Sequence, residues 1–170
     1  MRKLMNCCYF VMFGLYIFLV LDTLFFSKFG VNMRGINLIP FRTMTELMSH
    51  PSSVMARLIL IGNILMFIPM GIYIKCFFLK DSLLIGILKL SLISLAIKIF
   101  QYILAVGIAD VDDIILNVLG GMIGWMVCFF LYKIQENKDH LLLSVATLSL
   151  LFGLPVVGFV FIVHVYNGMI

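Results

Sequence analysis

Charge is what this sequence has least of. Asp, Glu, Lys and Arg make up 12% of its 170 residues, about half the share found in a soluble domain, and the mean hydropathy is +1.19. That excludes an ordinary soluble globular domain and predicts a membrane protein. Cysteine offers little chemistry either. Cys7, Cys8, Cys76 and Cys128 sit in or beside apolar runs, without metal-ligand spacing or a small secreted scaffold to staple. They read as small core residues, and no metal or cofactor is expected. His50, His140 and His164 are scattered, so the pattern assembles neither a Ser/His/Asp nor a Cys/His constellation. The net charge of +4 comes from basic residues near span ends, where membrane topology accounts for them. Nucleic acid is not an expected partner.

Hydrophobic length is abundant. Of all residues 64% are hydrophobic, and a hydrocarbon core of ~30 Å needs about 20 apolar residues per helix. The expected fold is an all-α polytopic membrane helix bundle, one membrane domain over residues 1–170. Its five transmembrane helices fall at about 4–26, 54–78, 82–104, 111–132 and 141–165, and residues 27–53 are the one long extracellular loop. The first 26 residues start basic and carry an apolar core too long for a signal peptide, with no small-x-small cleavage site. They are expected to remain as a first span. Arg2, Lys3, Lys75, Lys80, Lys133 and Lys138 on one side outnumber Lys28, Arg34, Arg42 and Arg57 on the other. The positive-inside rule therefore predicts N-in and C-out. Within the second span, Pro69 and Gly71 of "FIPMG" are expected to kink the helix or end its regular part.

The polar residues inside these spans are the informative ones. In "ADVDDIILNVLGGMIGW", residues 109–125, Asp110 suits the N-cap of the fourth span, with Asp113 three positions on in a capping-box-like arrangement. Asp113, Asn117, Gly120 and Gly124 step by four, three and four, which puts them on one helical face. Gly120 and Gly124 form a small-xxx-small pair that lets a neighbouring backbone approach. In the third span Ser91, Ser94, Lys98 and Gln101 line a matching face. An unpaired Lys at the depth of Lys98 costs about 2.5–3.5 kcal/mol even on lenient insertion scales, whereas Lys89 lies nearer the end and can snorkel. At 1.5 Å per residue, Asn63, Lys98 and Asn117 fall in the same leaflet with Asp113 just above. The expectation is a polar site of Asn63, Lys98, Gln101, Asp112, Asp113 and Asn117 that opens outward, with Lys98 paired to Asp112 or Asp113. The alternative is that Lys98 and an Asp merely neutralise each other to hold the bundle. Arg42 and Arg57 add positive charge at the rim, where Arg also serves as an ordinary topology anchor.

"NLIPF" at 37–41, "GNILMFIPMG" at 62–71 and "SLAIKIFQYILAVGIADVDDIILNVLGG" at 94–121 resemble, in this order and spacing, the VanZ-like membrane family, particularly its teicoplanin-resistance branch. The resemblance covers residues 37–125. It implies a multi-pass protein of the bacterial plasma membrane associated with reduced susceptibility to teicoplanin-type glycopeptides. Its shared positions carry over as Asn37, Pro40 and Phe41, with Arg42 beside them, and as Asn63, Pro69, Gly71, Gln101, Asp110, Asp113, Asn117 and Gly120. One position departs: the family pattern usually has Glu where this chain has Lys98. The expected role is non-enzymatic, with a cell-wall precursor lipid, a lipoglycopeptide or a wall-synthesis protein as partner besides the lipid bilayer. The alternatives are an enzyme acting on a polyprenyl-phosphate or other cell-wall lipid, and a small lipid or antibiotic flippase.

Overall fold

A computed structural model describes residues 2–25, 33–49, 54–135 and 140–148. Among them the chain runs α1 (Arg2–Leu24), β1 (Met33–Asn37), α2 (Arg42–Ser49), α3 (Val54–Phe77), α4 (Leu83–Ile103), β2 (Val106–Asp110) and α5 (Val111–Gln135). Among the described residues three stretches are long and apolar enough to cross a membrane, namely Leu60–Phe77, Leu83–Ile103 and Val111–Gln135, and a shorter apolar stretch, Tyr9–Asp22, lies in α1. The expected fifth span, 141–165, is helical over 140–148, and the remainder lies outside the described residues.

Two compact units are present. One comprises residues 1–21 and 131–170, in which Gln135 donates to Ser144 Oγ at 2.7 Å. The other, residues 22–130, carries β1, β2, α2, α3 and α4 and most of α5. The polar residues of interest all lie in this second unit.

Helix α4 starts at Ser82, whose hydroxyl accepts from Ile85 N, and the preceding reversal is closed by Asp81 N to Phe78 O at 3.0 Å. Lys75, counted from sequence among the flanking charges, is buried. Its ammonium donates to Leu79 O and Asp81 O at 2.7 and 2.9 Å and lies 4.3 Å from the Trp125 ring centroid. A cation there satisfies two carbonyls of the turn between α3 and α4 and lies at the negative end of the α3 dipole. Lys89 meets Asp81 at 2.6 Å and rests over Phe78.

Helices α4 and α5 run antiparallel in a regular register. Lys98 meets Asp113 and Ser94 meets Asn117, while a Cβ added to Gly121 would strike Leu90 and one added to Gly86 would strike Trp125. Each step of four along one helix is matched by four along the other. Helices α3 and α5 run parallel, because an added Cβ on Gly120 would overlap the carbonyl of Ile64 and one on Gly124 that of Ile68. Gly71 repays the contact from the α3 side, its added Cβ overlapping Gly121 O. This backbone-to-backbone approach is what small residues permit where helices pack in lipid.

The described residues are mostly helical, as expected, with one addition that the all-α expectation lacked: β1 and β2 form a two-stranded parallel sheet, in register from Met33↔Val106 to Asn37↔Asp110. The segment expected as the long loop, 27–53, holds a strand over 33–37 and a helix over 42–49. Of the two outcomes expected at Pro69, a kink or an end, the end does not occur, since the helix continues to Phe77.

Candidate functional site

The three acids at the start of α5 point to different partners. Asp110, just before the helix, accepts Asp112 N at 2.9 Å in an N-cap bond. It also accepts Asn37 Nδ2 at 3.2 Å and the Thr43 hydroxyl at 2.6 Å. Asn37 in turn donates to Thr43 Oγ1 and accepts Ile39 N. Asp112 is fully buried, and its two oxygens take the amides of Phe41 at 2.5 Å and Met44 at 3.1 Å. It thus caps the N-terminus of α2 from another part of the chain. Phe41 reaches this bond with φ 64°, a left-handed conformation uncommon for a non-glycine residue. The cluster has fixed that turn.

Asp113 faces the other way. One oxygen accepts Asn63 Nδ2 of α3 at 2.6 Å, and the other binds the ammonium of Lys98 on α4. The capping-box arrangement with Asp110 is therefore replaced: Asp113 spends its carboxylate on two neighbouring helices. The Lys98 side chain is 9% exposed and that of Asp113 21%. One turn deeper, Asn117 Nδ2 donates to Ser94 Oγ at 2.9 Å, while its Oδ1 is buried with no hydrogen-bond partner among the described residues. Gln101 is buried on α4, against Gly107 of β2.

The structure thus brings Asn63, Lys98, Asp113 and Asn117 together at the junction of α3, α4 and α5, and separates Asp112 from them. Asp112 belongs with Asn37, Phe41, Thr43 and Asp110. Pro40 and Phe41 sit on the exposed tip, and Arg42 is exposed and paired with Glu46 at 2.9 Å. The side chain of Arg57 lies outside the described residues. Thr43 is not among the residues expected from sequence; its signal is its place in the first turn of a short amphipathic helix, with Met44, Leu47 and Met48 at helical spacing. Cys76 and Cys128, read as core residues, are buried with their sulfurs 3.1 Å apart between α3 and α5.

This arrangement of an acid-rich helix start, an NLIPF turn and a glycine-packed pair of spans occupies the part of the chain that a family model matches. The VanZ/LLP1 model covers residues 13–132. The chain belongs to the VanZ/LLP1 family. Protein VanZ of Enterococcus faecium is 29% identical over 126 residues, 73% of this chain and 72% of that protein. No solved structure matches the chain. The VanZ/LLP1 match takes in every residue of both polar clusters, so the clamp on the turn and the junction between spans both lie inside the family's own region.

Proposed function

We propose that the protein is a multi-pass protein of the bacterial plasma membrane, with five spans in an N-in, C-out arrangement. On this reading it lowers susceptibility to teicoplanin-type glycopeptides without catalysing a reaction. The working group is Asn63, Lys98, Asp113 and Asn117, in the leaflet away from the cytoplasm, and Asp110 and Asp112 hold the turn that borders it. The partner is a cell-wall precursor lipid, a lipoglycopeptide or a wall-synthesis protein.

Family membership supports the resistance role. The observation that carries the site is the meeting of an ammonium, a carboxylate and an amide from three apolar helices, with the Asn117–Ser94 pair one turn deeper. Lipid penalises each of these groups separately. Asp113 keeps about a fifth of its side-chain surface open, which leaves the group able to take a further polar partner.

The test is deletion and complementation, with susceptibility to teicoplanin and vancomycin measured side by side. Complementation restores the teicoplanin shift, and Asn63→Ala, Asp113→Asn and Asn117→Ala each lose it at unchanged membrane abundance. Should all three variants complement like the parent, the polar junction has no part in resistance. Turnover of a labelled polyprenyl-phosphate by the purified protein would replace this reading with an enzymatic one.

A further inference from the structure

The β1–β2 pair and the turn after β1 fold back along the spans. Ala105, with φ 56°, reverses the chain after α4. Strand β2 then returns beside the last turns of that helix, where an added Cβ on Gly107 would stand 3.6 Å from the Gln101 side chain. Because Asp113 is bonded to Lys98, the first turn of α5 lies beside a residue five positions short of Ile103, the end of α4. At 1.5 Å per residue that is about 7 Å down the helix axis.

Strand β1 is parallel to β2 and therefore descends with it. Near its start Arg34 donates to Ile103 O at 3.2 Å, and at its end Asn37 donates to Asp110 at 3.2 Å. Leu38, Ile39, Pro40 and Phe41 consequently lie at the bottom of the descent, level with Asp112. Non-helical backbone at membrane depth must find its hydrogen-bond partners within the protein. Several amides of this turn do so. Ile39 N goes to Asn37 Oδ1, Pro40 has no N–H, Phe41 N and Met44 N go to Asp112, Arg42 N goes to Ile39 O, and Thr45 N goes to Phe41 O.

Most side chains pointing outward from the turn are apolar, and the exposed Arg42 that follows Phe41 is neutralised by Glu46. Leu38 is 74% exposed, and Ile36, Ile39 and Phe41 are more than half exposed. Ile108 on the neighbouring strand and Ile99, Phe100 and Ile103 of α4 are exposed at matching levels. The turn thus continues the apolar outer surface of a spanning helix.

We propose that residues 33–41 form a re-entrant element seated in the bilayer leaflet that holds the C-terminal end of α4, with Leu38, Ile39 and Phe41 against phospholipid acyl chains. Asp110 and Asp112 are then the internal acceptors that let the turn's backbone leave water. The assignment does not depend on the antibiotic reading and can fail or stand without it.

The test uses the full chain in liposomes of phosphatidylglycerol and phosphatidylcholine, the latter brominated high on its acyl chains. Leu38→Trp and Ile39→Trp are each compared with the parent, whose single tryptophan, Trp125, is buried. The added emission should be blue-shifted, lost to the bromolipid and unaffected by aqueous iodide on either side. Loss to iodide with indifference to bromine, at both positions, would place the turn in water and overturn the proposal. Protection from both quenchers would overturn it too, since protein rather than lipid would then cover the turn.

Discussion

Replacing Lys98 with Met removes the ammonium while keeping most of the side chain's length and apolar bulk, and leaves the Asp113 carboxylate with Asn63 as its remaining partner. The size of the effect depends on where the pair sits. A water-exposed ion pair contributes about 0–1 kcal/mol, whereas removing one partner of a buried pair costs about 3–5 kcal/mol because a charge is stranded. With the Lys98 side chain 9% exposed and that of Asp113 21%, Lys98→Met and Asp113→Leu should each cost about 2–3 kcal/mol. Replacing both together strands nothing except the Asn63 amide, so the double variant should lie within about 1 kcal/mol of the parent. The coupling from the double-mutant cycle is then about 3 kcal/mol or more, at least two powers of ten in the unfolding equilibrium. Unfolding by SDS titration in mixed micelles measures it. Trp125 is the reporter, since it is buried and stacked on Phe129 with centroids 5.5 Å apart. A coupling under about 1 kcal/mol would show that water screens the pair, and the argument for a lipid-penalised polar junction would fall with it.

Three further outcomes follow from neighbouring contacts. Gly124→Val places a branched side chain where even a Cβ overlaps Ile68 O, so α3 and α5 must separate; the loss should reach or exceed the ~1–3 kcal/mol typical of overpacking, read as aggregation in size-exclusion chromatography. Gly62→Ala is the opposing control, because an added Cβ there meets nothing within 4 Å and a helical Gly-to-Ala change stabilises by roughly 0.5–1 kcal/mol. Asp112→Ala leaves the amides of Phe41 and Met44 without their acceptor. Hydrogen exchange should accelerate at those two amides while Asn117 to Cys128 stay protected, and uniform acceleration along α5 would show instead that Asp112 supports the whole helix.

The spans were legible and the strands were not, for one physical reason. A spanning helix is encoded locally, in runs such as Leu83–Ile103, and its packing face in the spacing of Gly120, Gly124 and Asn117. The strands "MRGIN" and "VGIAD" carry no alternation over a useful length. They exist because Asn37 and Thr43 meet Asp110 from 73 and 67 positions away, a pairing that no window of sequence contains. The same separation hid the division of the acids. Spacing showed that Asp113 and Asn117 share a face with the glycines, and that Lys98 needs a carboxylate. It offered no means of choosing between Asp112 and Asp113, because the partner of Asp112 is the backbone of a turn.

The geometry also explains why three acids require only one lysine. Successive residues on a helix are about 100° apart, so Asp112 and Asp113 cannot serve the same neighbour. Asp110 is met by an amide, a hydroxyl and a backbone N–H. Asp112 lies between two helix starts, its own in α5 and that of α2, whose first amides it takes, and each start presents the positive end of a helix dipole. Among the described residues those two carboxylates are compensated without a cation. Asp113 is turned away from α2 toward the apolar faces of α3 and α4, where its partners among the described residues are Asn63 and the Lys98 ammonium. If this division is right, the charge of residue 98 matters through Asp113 alone. Lys98→Met should then leave the exchange protection of Phe41 and Met44 unchanged, although it weakens the bundle.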